Sequence, residues 1–363
     1  MSAGREIAFF GSSLLSSFWN GAATYYRGIL RALHARGFRV TFHEPDAYDR
    51  QAHRDLDEVP WARVVVYPND PLAALSAVES AASADVIIKA SGVGVFDELL
   101  EEAVVARRGP GCAIVFWDVD APATLDRLER DGRDPFRAIL PRFDLVLTYG
   151  GGDPVLRRYA ALGARRAAAI YNGLDPETHF EAPPDPRYAA DLSLLANRLP
   201  DREARVDAFF FEAARAAPER RFLLGGAGWE GALLPANVRW VGHVPTGDHN
   251  AWNASARAVL NVARDSMARA GFSPATRVFE AAGAGACVIT DAWEGVDHFF
   301  APGREILVAR DGAEIAALLA DLDAARAREI GRAARRRALA EHTYEERAGA
   351  VVAALDAATR ERP

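Results

Sequence analysis

Short apolar runs alternate with longer amphipathic segments along nearly the whole chain. The segments between the runs repeat apolar residues at helical spacing, for example over 21–35, 95–107 and 153–162. Short apolar strands that alternate with amphipathic helices are typical of parallel, doubly wound sheets. The pattern predicts strands near 5–10, 38–43, 63–67, 84–89, 112–117, 143–149, 167–171, 191–196, 220–225, 238–241, 257–262, 286–290 and 305–309.

Proline and acidic residues concentrate between the two runs of predicted strands. The stretch 175–186 contains Pro176, Pro183, Pro184 and Pro186, which is typical of an interdomain linker. The sequence therefore predicts an α/β protein with two Rossmann-like, doubly wound domains, over 1–174 and 187–340, that face a central cleft. Ligands of such sheets bind at the carboxyl ends of the strands. A C-terminal helix is expected over 341–363, packing back on the first domain.

Composition narrows the class of protein. The 363 residues carry a net charge of −7, which argues against general nucleic-acid binding. No apolar run reaches the ~18 residues that a membrane span needs, and a strand begins at once without a signal peptide. We expect a cytoplasmic protein whose two cysteines, Cys112 and Cys287, are reduced core residues. Its oligomeric state stays open.

Six arginines near the C-terminus allow at most a peripheral membrane contact. They are interspersed with alanine and glutamate, which favours a solvated helix face with ion pairs between successive turns. The alternative is a basic patch toward anionic lipid. The six are Arg326, Arg328, Arg332, Arg335, Arg336 and Arg337.

The most informative segment is 273–291. Pro274 can open a helix, because the first N–H groups of a helix need no partner. A helix start beside a parallel strand offers those N–H groups to an anion. Arg277 lies in the first turn and Glu280 three residues later. Phosphate held by backbone and arginine, with a carboxylate for a sugar hydroxyl, is the chemistry that binds a nucleotide sugar.

This segment resembles the donor-binding motif of GT-B glycosyltransferases of the group-1 type. In that family a glutamate at the position of Glu280 grips the donor ribose and ends an E-x7-E pattern. Phe272 stands where the first glutamate of that pattern would fall. The departure points to the spore-maturation-protein (CgeB-like) glycosyltransferases, which the chain also resembles at Phe18–Tyr26, Phe116–Pro122, Tyr171–Pro176 and Phe300–Ile306.

The resemblance implies transfer of a sugar from a nucleoside-diphosphate sugar, with a UDP-sugar as the expected donor, to a glycan or small-molecule acceptor, and no metal or other cofactor. Ser273, Pro274, Thr276, Arg277 and Glu280 would bind the donor. Arg202 falls where similar enzymes keep a diphosphate-binding cation, and Val244 where backbone groups read the nucleobase. Arg264 either lines the sugar pocket or forms a salt bridge.

Lys89 is the only lysine of the chain and ends a predicted strand. We expect it to face the cleft, where it would hold a phosphate or an acceptor oxygen, or orient a carboxylate. Asp118 and Asp120 follow another strand and suit general-base work on an acceptor hydroxyl. Capping of the next helix is the equal alternative for Asp120. A metal site at this pair is discounted, because it lies in the half without the donor motif.

Ser12 follows the first strand, and Asn20 with Gly21 precedes the next helix. Loop and helix N-terminus at this place would contact the donor diphosphate or the acceptor. Two other functions stay open for the chain as a whole. A nucleotide-sugar epimerase would need an acid–base pair near the donor's sugar carbons, which the second half does not offer. A degenerate, nucleotide-sugar-binding scaffold is the reading that Phe272 supports.

Overall fold

The computed structural model describes residues 4–18 and 20–360. Trp19, within the Phe18–Tyr26 motif, lies outside the described residues. The chain forms two compact units, of which the first comprises Met1–Tyr171 together with Tyr344–Pro363. The second unit is the continuous stretch Asn172–Thr343.

The first unit is built on a seven-stranded parallel sheet with the order β3-β2-β1-β4-β5-β6-β7. Its strands are β1 (Glu6–Phe10), β2 (Arg39–Pro45), β3 (Arg63–Tyr67), β4 (Val86–Ala90), β5 (Ala113–Asp118), β6 (Leu145–Thr148) and β7 (Ala167–Ala169). Its helices are α1 (Ala23–Ala35), α2 (Pro71–Ser80), α3 (Asp97–Ala106), α4 (Ala121–Arg130), α5 (Pro135–Ile139) and α6 (Gly152–Ala161).

Both faces of this sheet are buried at its centre, which explains why strands such as β5 and β6 are nearly continuous apolar runs. Ile7 and Phe9 of β1 belong to one apolar cluster, and Ala8 and Phe10 belong to a second cluster on the opposite face. Side chains of a strand alternate between the two faces, so each face receives every other residue. The helices that cover the two faces exclude water from the strands.

The last helix of the chain, called α15 (Tyr344–Arg360) here, returns to the first unit and packs on α1. A Cβ atom at Gly28 would lie 2.1 Å from Cδ2 of Tyr344, so only glycine permits this approach. Arg36 at the end of α1 pairs with Glu345 at 2.7 Å. The two helices thus approach closely because Gly28 of α1 has no side chain where the Tyr344 ring of α15 packs.

The second unit has a six-stranded parallel sheet with the order β10-β9-β8-β11-β12-β13. Its strands are β8 (Ala190–Leu195), β9 (Phe222–Gly225), β10 (Val238–Trp240), β11 (Ala256–Asn261), β12 (Val288–Asp291) and β13 (Leu307–Ala309). Its helices are α7 (Pro200–Val206), α8 (Glu212–Ala216), α9 (His249–Ser255), α10 (Asp265–Ala270), α11 (Thr276–Gly283), α12 (Val296–Phe299), α13 (Gly312–Asp321) and α14 (Ala324–Glu341), and a π-helical turn, Asp207–Phe211, joins α7 to α8.

The stretch 175–186, expected to be a linker, lies within the second unit. Two of its backbone N–H groups are held by side chains at the ends of α9. Phe180 N donates to Asn250 Oδ1 at 3.2 Å, and Asp185 N donates to Ser255 Oγ at 2.7 Å. The segment is therefore bonded to the body of this unit.

Each sheet has one place where the strand order reverses. In the first unit β1 lies beside β4, and in the second unit β8 lies beside β11. The loops that follow the two strands of such a pair diverge to opposite faces, which leaves a crevice at their carboxyl ends where ligands bind. Ligand sites are therefore expected beside β1 and β4 in the first unit and beside β8 and β11 in the second. Among the described residues, no helix is long and apolar enough to cross a membrane.

Candidate active site

The start of α11 is fixed by an irregular turn. Gly271 and Phe272 both have positive φ angles, 68° and 44°. Ser273 Oγ donates to the Gly271 carbonyl at 2.8 Å, and Asn172 Nδ2 donates to the Pro274 carbonyl at 3.1 Å. A positive φ is uncommon for a bulky residue such as phenylalanine and persists only where its surroundings enforce it.

Phe272 occupies the place of the first glutamate of the family pattern. Its N–H donates to the Glu294 carbonyl at 2.6 Å. Its ring packs against Gly295, where a Cβ atom would come within 2.3 Å of ring atom Cδ1, and near His298 at 6.2 Å between ring centroids. Phe272 thus makes packing contacts and supplies no polar group at this position.

Helix α11 has an open start and a closed end. No side chain caps its start at Ala275, so its first N–H groups are available to a ligand. At the other end, Ala286 N donates to the Ala281 carbonyl at 3.0 Å, and Gly285 has a φ of 75°. This arrangement is a Schellman motif. The open N-terminus carries partial positive charge, which favours an anion there.

Two arginines near this helix start, Arg202 and Arg277, form no salt bridge within the described part of the chain. Nε of Arg202 is buried without a hydrogen-bond partner. Burial, and then the nearby charges of Arg277 and Arg264, lower the pKa of Arg202 to about 10. Burial also lowers the pKa of Arg277, against the opposing charge of Glu280. Arg277 thus depresses the pKa of Arg202 in a partly buried place, and cations crowded in this way favour an anion beside them.

Neighbouring arginines are neutralised and serve the structure. Arg264 pairs with Asp201, so the salt-bridge alternative given for Arg264 matches its contacts. Arg205 pairs with the fully buried Asp291 at 2.6 Å. Asp291 also accepts the N–H of Ala263 at 3.0 Å, which fixes the chain after β11.

Glu280 lies one turn into α11 beside two histidines that the sequence did not single out. His179 Nε2 is 3.7 Å from Glu280 Oε1, and His179 Nδ1 lies 2.9 Å from Thr178 Oγ1. Burial lowers the pKa of His249; Glu280 opposes this shift, while Arg277 and His179 add to it. The backbone of Val244, which is buried, hydrogen-bonds His249. His249 therefore interacts with all three of these residues: with Arg277 and Glu280 through their charges, and with Val244 through a hydrogen bond.

In the first unit, Lys89 is completely buried, and its ammonium has three acceptors. Nζ donates to the Ala90 carbonyl at 2.9 Å, to Asp97, and to Glu101 Oε1 at 3.5 Å. An ammonium has three N–H donors, so none remains for a substrate. These contacts match one of the roles expected of Lys89, which is to orient a carboxylate. They do not match a direct contact with phosphate or acceptor.

Asp118 is also fully buried, and both of its oxygens are engaged. Oδ1 accepts Ser91 Oγ at 2.7 Å and the N–H of Asp120 at 2.9 Å, and Oδ2 accepts the hydroxyl of Tyr159. Asp120 stays partly exposed at the start of α4, and its side chain makes no capping hydrogen bond. The contacts give Asp118 a structural role, and Asp120 is the carboxylate of the pair nearer to solvent.

The loop after β1 is held together by its own side chains. Ser12 Oγ donates to Asn20 Oδ1 at 3.0 Å, while Asn20 Nδ2 donates to the carbonyls of Ser13 at 2.8 Å and Ser16 at 3.1 Å. Asn20 and Ser12 are buried, and Gly21 is exposed with open space around it. Asn20 thus braces the loop, which leaves the Gly21 backbone as its exposed part.

Most of the C-terminal arginines that are paired bond to near neighbours. Arg326 pairs with Glu329 at 2.7 Å and Arg337 with Glu341 at 2.8 Å, while Arg335 Nε donates to the Gly283 carbonyl at 3.1 Å. Such pairs are those expected of a solvated helix face. Within residues 4–18 and 20–360, no three His, Cys, Asp or Glu side chains are grouped as ligands for a metal ion.

A known family model matches part of the chain. Residues 202–353 match the family model described as glycosyl transferase-like. That region includes Arg202, Arg277 and Glu280. No sequence among the curated proteins matches the chain.

Solved structures match over nearly the whole length. Sucrose-phosphate synthase from Thermosynechococcus elongatus is similar with a TM-score of 0.71 and 17% identity, covering 98% of this chain and 100% of that one. Anabaena HepE in complex with UDP and glucose has a TM-score of 0.66 and 14% identity, covering 97% of this chain and 100% of that one. The T4 phage BGT in complex with UDP-glucose has a TM-score of 0.61 and 13% identity, covering 97% of this chain and 99% of that one. The predicted fold class, two parallel α/β units of the GT-B type, is confirmed.

Proposed function

We propose that this chain is a glycosyltransferase that moves a sugar from a nucleoside-diphosphate sugar to an acceptor hydroxyl. The observation that carries the proposal is the pair Arg202 and Arg277 beside the uncapped start of α11. Two desolvated cations that form no salt bridge among the described residues, next to free N–H groups, fit a diphosphate. Cleavage of the donor bond leaves negative charge on that diphosphate, and the same groups would stabilise it.

The other donor contacts follow along α11 and the loop before α9. Glu280 would accept the ribose hydroxyls, with His179 holding its carboxylate at 3.7 Å. Backbone groups at Val244 would read the nucleobase. Uracil is the expected base, since HepE and the T4 phage enzyme are described in complex with UDP or UDP-glucose. Ser273, Pro274 and Thr276 would supply the backbone around the phosphates.

On the acceptor side, Asp120 is the carboxylate proposed as general base, because Asp118 is occupied by three hydrogen bonds. The Gly21 backbone at the start of α1 would approach the acceptor. We propose that catalysis needs no metal, since arginines and a helix N-terminus already offset the phosphate charge. A cytoplasmic location and membership of the CgeB-like group are part of the same proposal.

The proposal is tested by thermal unfolding with UDP, GDP, dTDP and ADP sugars, each with and without EDTA. A ligand that binds only the folded state adds about 2.7 kcal/mol at 100 times its dissociation constant. We expect UDP-glucose or a related UDP-sugar to raise Tm equally in both conditions. Stabilisation that requires added Mn²⁺ or Mg²⁺ would contradict the metal-free proposal, and no shift with any nucleotide sugar would contradict the donor site.

Turnover separates a transferase from the two alternatives. Donor consumed only when an acceptor mixture is present indicates transfer. Donor converted without acceptor to a nucleotide sugar of changed stereochemistry would indicate an epimerase. Binding without consumption under any acceptor mixture would indicate a scaffold. Chromatography of the nucleotide products distinguishes these outcomes.

A further inference from the structure

The first unit contains an open cavity of about 710 Å³ lined by Phe18, Tyr48, Asp49, Arg50 and Gly94. These residues follow β1, β2 and β4. The strand order of the sheet reverses between β1 and β4, so the cavity lies at the switch point where sheets of this kind bind ligands. None of the residues assigned to the donor or to the proposed base lines it.

The backbone at this cavity is unusual. Tyr48 and Asp49 are consecutive non-glycine residues with left-handed φ angles of 59° and 58°. Such angles are uncommon for side-chain-bearing residues, and two in succession persist only when contacts enforce them. Strain of this kind concentrates at ligand-binding positions. Here it sets an aromatic ring and a carboxylate side by side.

The ring of Tyr48 is held in place from three directions. Its hydroxyl donates to the Gly94 carbonyl at 2.6 Å. Gly94 has a φ of 98°, and a Cβ atom there would come within 2.8 Å of Tyr48 Cε2. The Arg50 guanidinium carbon lies 5.0 Å from the ring centroid. Tyr48 is nevertheless 55% exposed, so much of a fixed aromatic ring is presented to solvent.

Polar groups of both kinds stand next to the ring. Asp49 is exposed, and within residues 4–18 and 20–360 its carboxylate has neither a hydrogen bond nor an ion pair. Arg50 is 7% exposed; one of its terminal nitrogens donates to the Ser12 carbonyl at 3.1 Å, and its Nε has no partner among the same residues. The cavity thus joins an acceptor, a donor and an aromatic surface.

We propose that the Tyr48 ring is a stacking platform for one ring of a neutral carbohydrate, with Asp49 accepting hydrogen bonds from its hydroxyls. The proposal rests on the proposed function and names its acceptor class, a neutral glycan. The C–H face of a sugar packs on an aromatic ring, and its hydroxyls both donate and accept, which matches Asp49 and Arg50 together. A net anion would be repelled by Asp49, and a cation by Arg50.

Binding is tested without donor, using maltose and methyl β-glucoside as neutral probes and glucuronic acid as the anionic probe. Saturation-transfer NMR and calorimetry on the full chain report it. We expect both neutral probes to bind and glucuronic acid to bind more weakly than methyl β-glucoside. Tyr48→Asn removes the ring while asparagine tolerates the left-handed backbone. It should weaken maltose binding roughly fivefold or more, and Asp49→Asn about tenfold.

Leu72→Ala, in the same unit and 75% exposed, is the control and should leave maltose affinity unchanged. UDP affinity, measured in parallel on each variant, keeps the two proposals separate. If Tyr48→Asn and Asp49→Asn change neither the maltose affinity nor the UDP affinity, the platform proposal alone is overturned. Stronger binding of glucuronic acid than of the neutral probes would also overturn it. If the wild type binds maltose at Tyr48 but binds no nucleotide, the acceptor role fails together with the proposed function.

Discussion

His179 Nε2 lies 3.7 Å from Oε1 of Glu280, on the helix whose uncapped first turn carries Arg277. Glu280 also acts on the pKa values of His249 and Arg277, in both cases by raising them. One carboxylate therefore influences three basic side chains. A change at Glu280 is expected to alter more than a single ligand contact.

Glu280→Gln should weaken UDP-glucose binding about tenfold or more, because a hydrogen bond to a charged group contributes about 1.5–3 kcal/mol. His179→Gln should cost less, since glutamine still offers a donor to the carboxylate. Calorimetry measures both, with the exposed Glu329→Gln as the control in the same unit. Equal affinity in wild type and Glu280→Gln would remove Glu280 from the donor site.

Arg202→Met and Arg205→Met should have opposite effects on stability. Arg202 has a buried Nε without a partner in the described ranges, so removing its charge should leave the ligand-free protein as stable or more stable. Arg205→Met leaves the buried Asp291 uncompensated and should cost about 3 kcal/mol. Urea unfolding reports both. Only Arg202→Met should abolish the Tm increase with UDP while folding stays intact, and a large loss of stability in that variant would contradict an anion site.

Lys89→Arg should destabilise the first unit. The Lys89 ammonium is completely buried, so a wider guanidinium would be overpacked at this position. Overpacking of this kind costs about 1–3 kcal/mol. Lys89→Met, which strands Asp97 and Glu101, should cost about 3 kcal/mol or more. Urea unfolding with the exposed Arg133→Lys as control measures the difference; a fully stable Lys89→Arg would show that the site adapts.

His43 should make the protein less stable in mild acid. Its ring stacks on Phe10 at 4.6 Å, and burial, followed by the charge of Arg63, lowers its pKa from 6.5 to about 4. The unfolded chain binds the proton first, so this contribution is present above pH ~6.5 and is lost as pH falls toward ~4. At pH 5 the loss is about 2 kcal/mol. His43→Gln should reduce the difference in unfolding free energy between pH 7 and pH 5 by that amount; an unchanged difference would mean that His43 is not the group responsible.

The strands were predictable because both sheet faces are buried. The run 112–117 is apolar throughout for this reason, and the structure has the fully buried β5 at Ala113–Asp118. Strand ends were harder to predict: the run near 84–89 forms Val86–Ala90. Hydrogen bonding between strands decides where a strand ends, and that depends on neighbours distant in sequence.

Side-chain direction and distant partners could not be read from the pattern. The position of Lys89 at a strand end was correct, but Asp97 and Glu101, one turn apart on the next helix, draw its ammonium into the interior. His179 and His249 belong to a loop and a helix start far from α11 in sequence, and no local pattern marks either of them. The helix start near Pro274 was recognisable because Pro274, Arg277 and Glu280 are spaced three residues apart within one short segment.

The return of α15 to α1 has a consequence for the order of synthesis. The second unit is one continuous stretch, so all of it is synthesised before Tyr344. The sheet of the first unit is translated earlier. Its helix α1 nevertheless stays uncovered until α15 has been synthesised and has left the ribosome. A chain released after Thr343 would therefore expose the apolar face of α1 to chaperones, although it contains the whole sequence of the second unit.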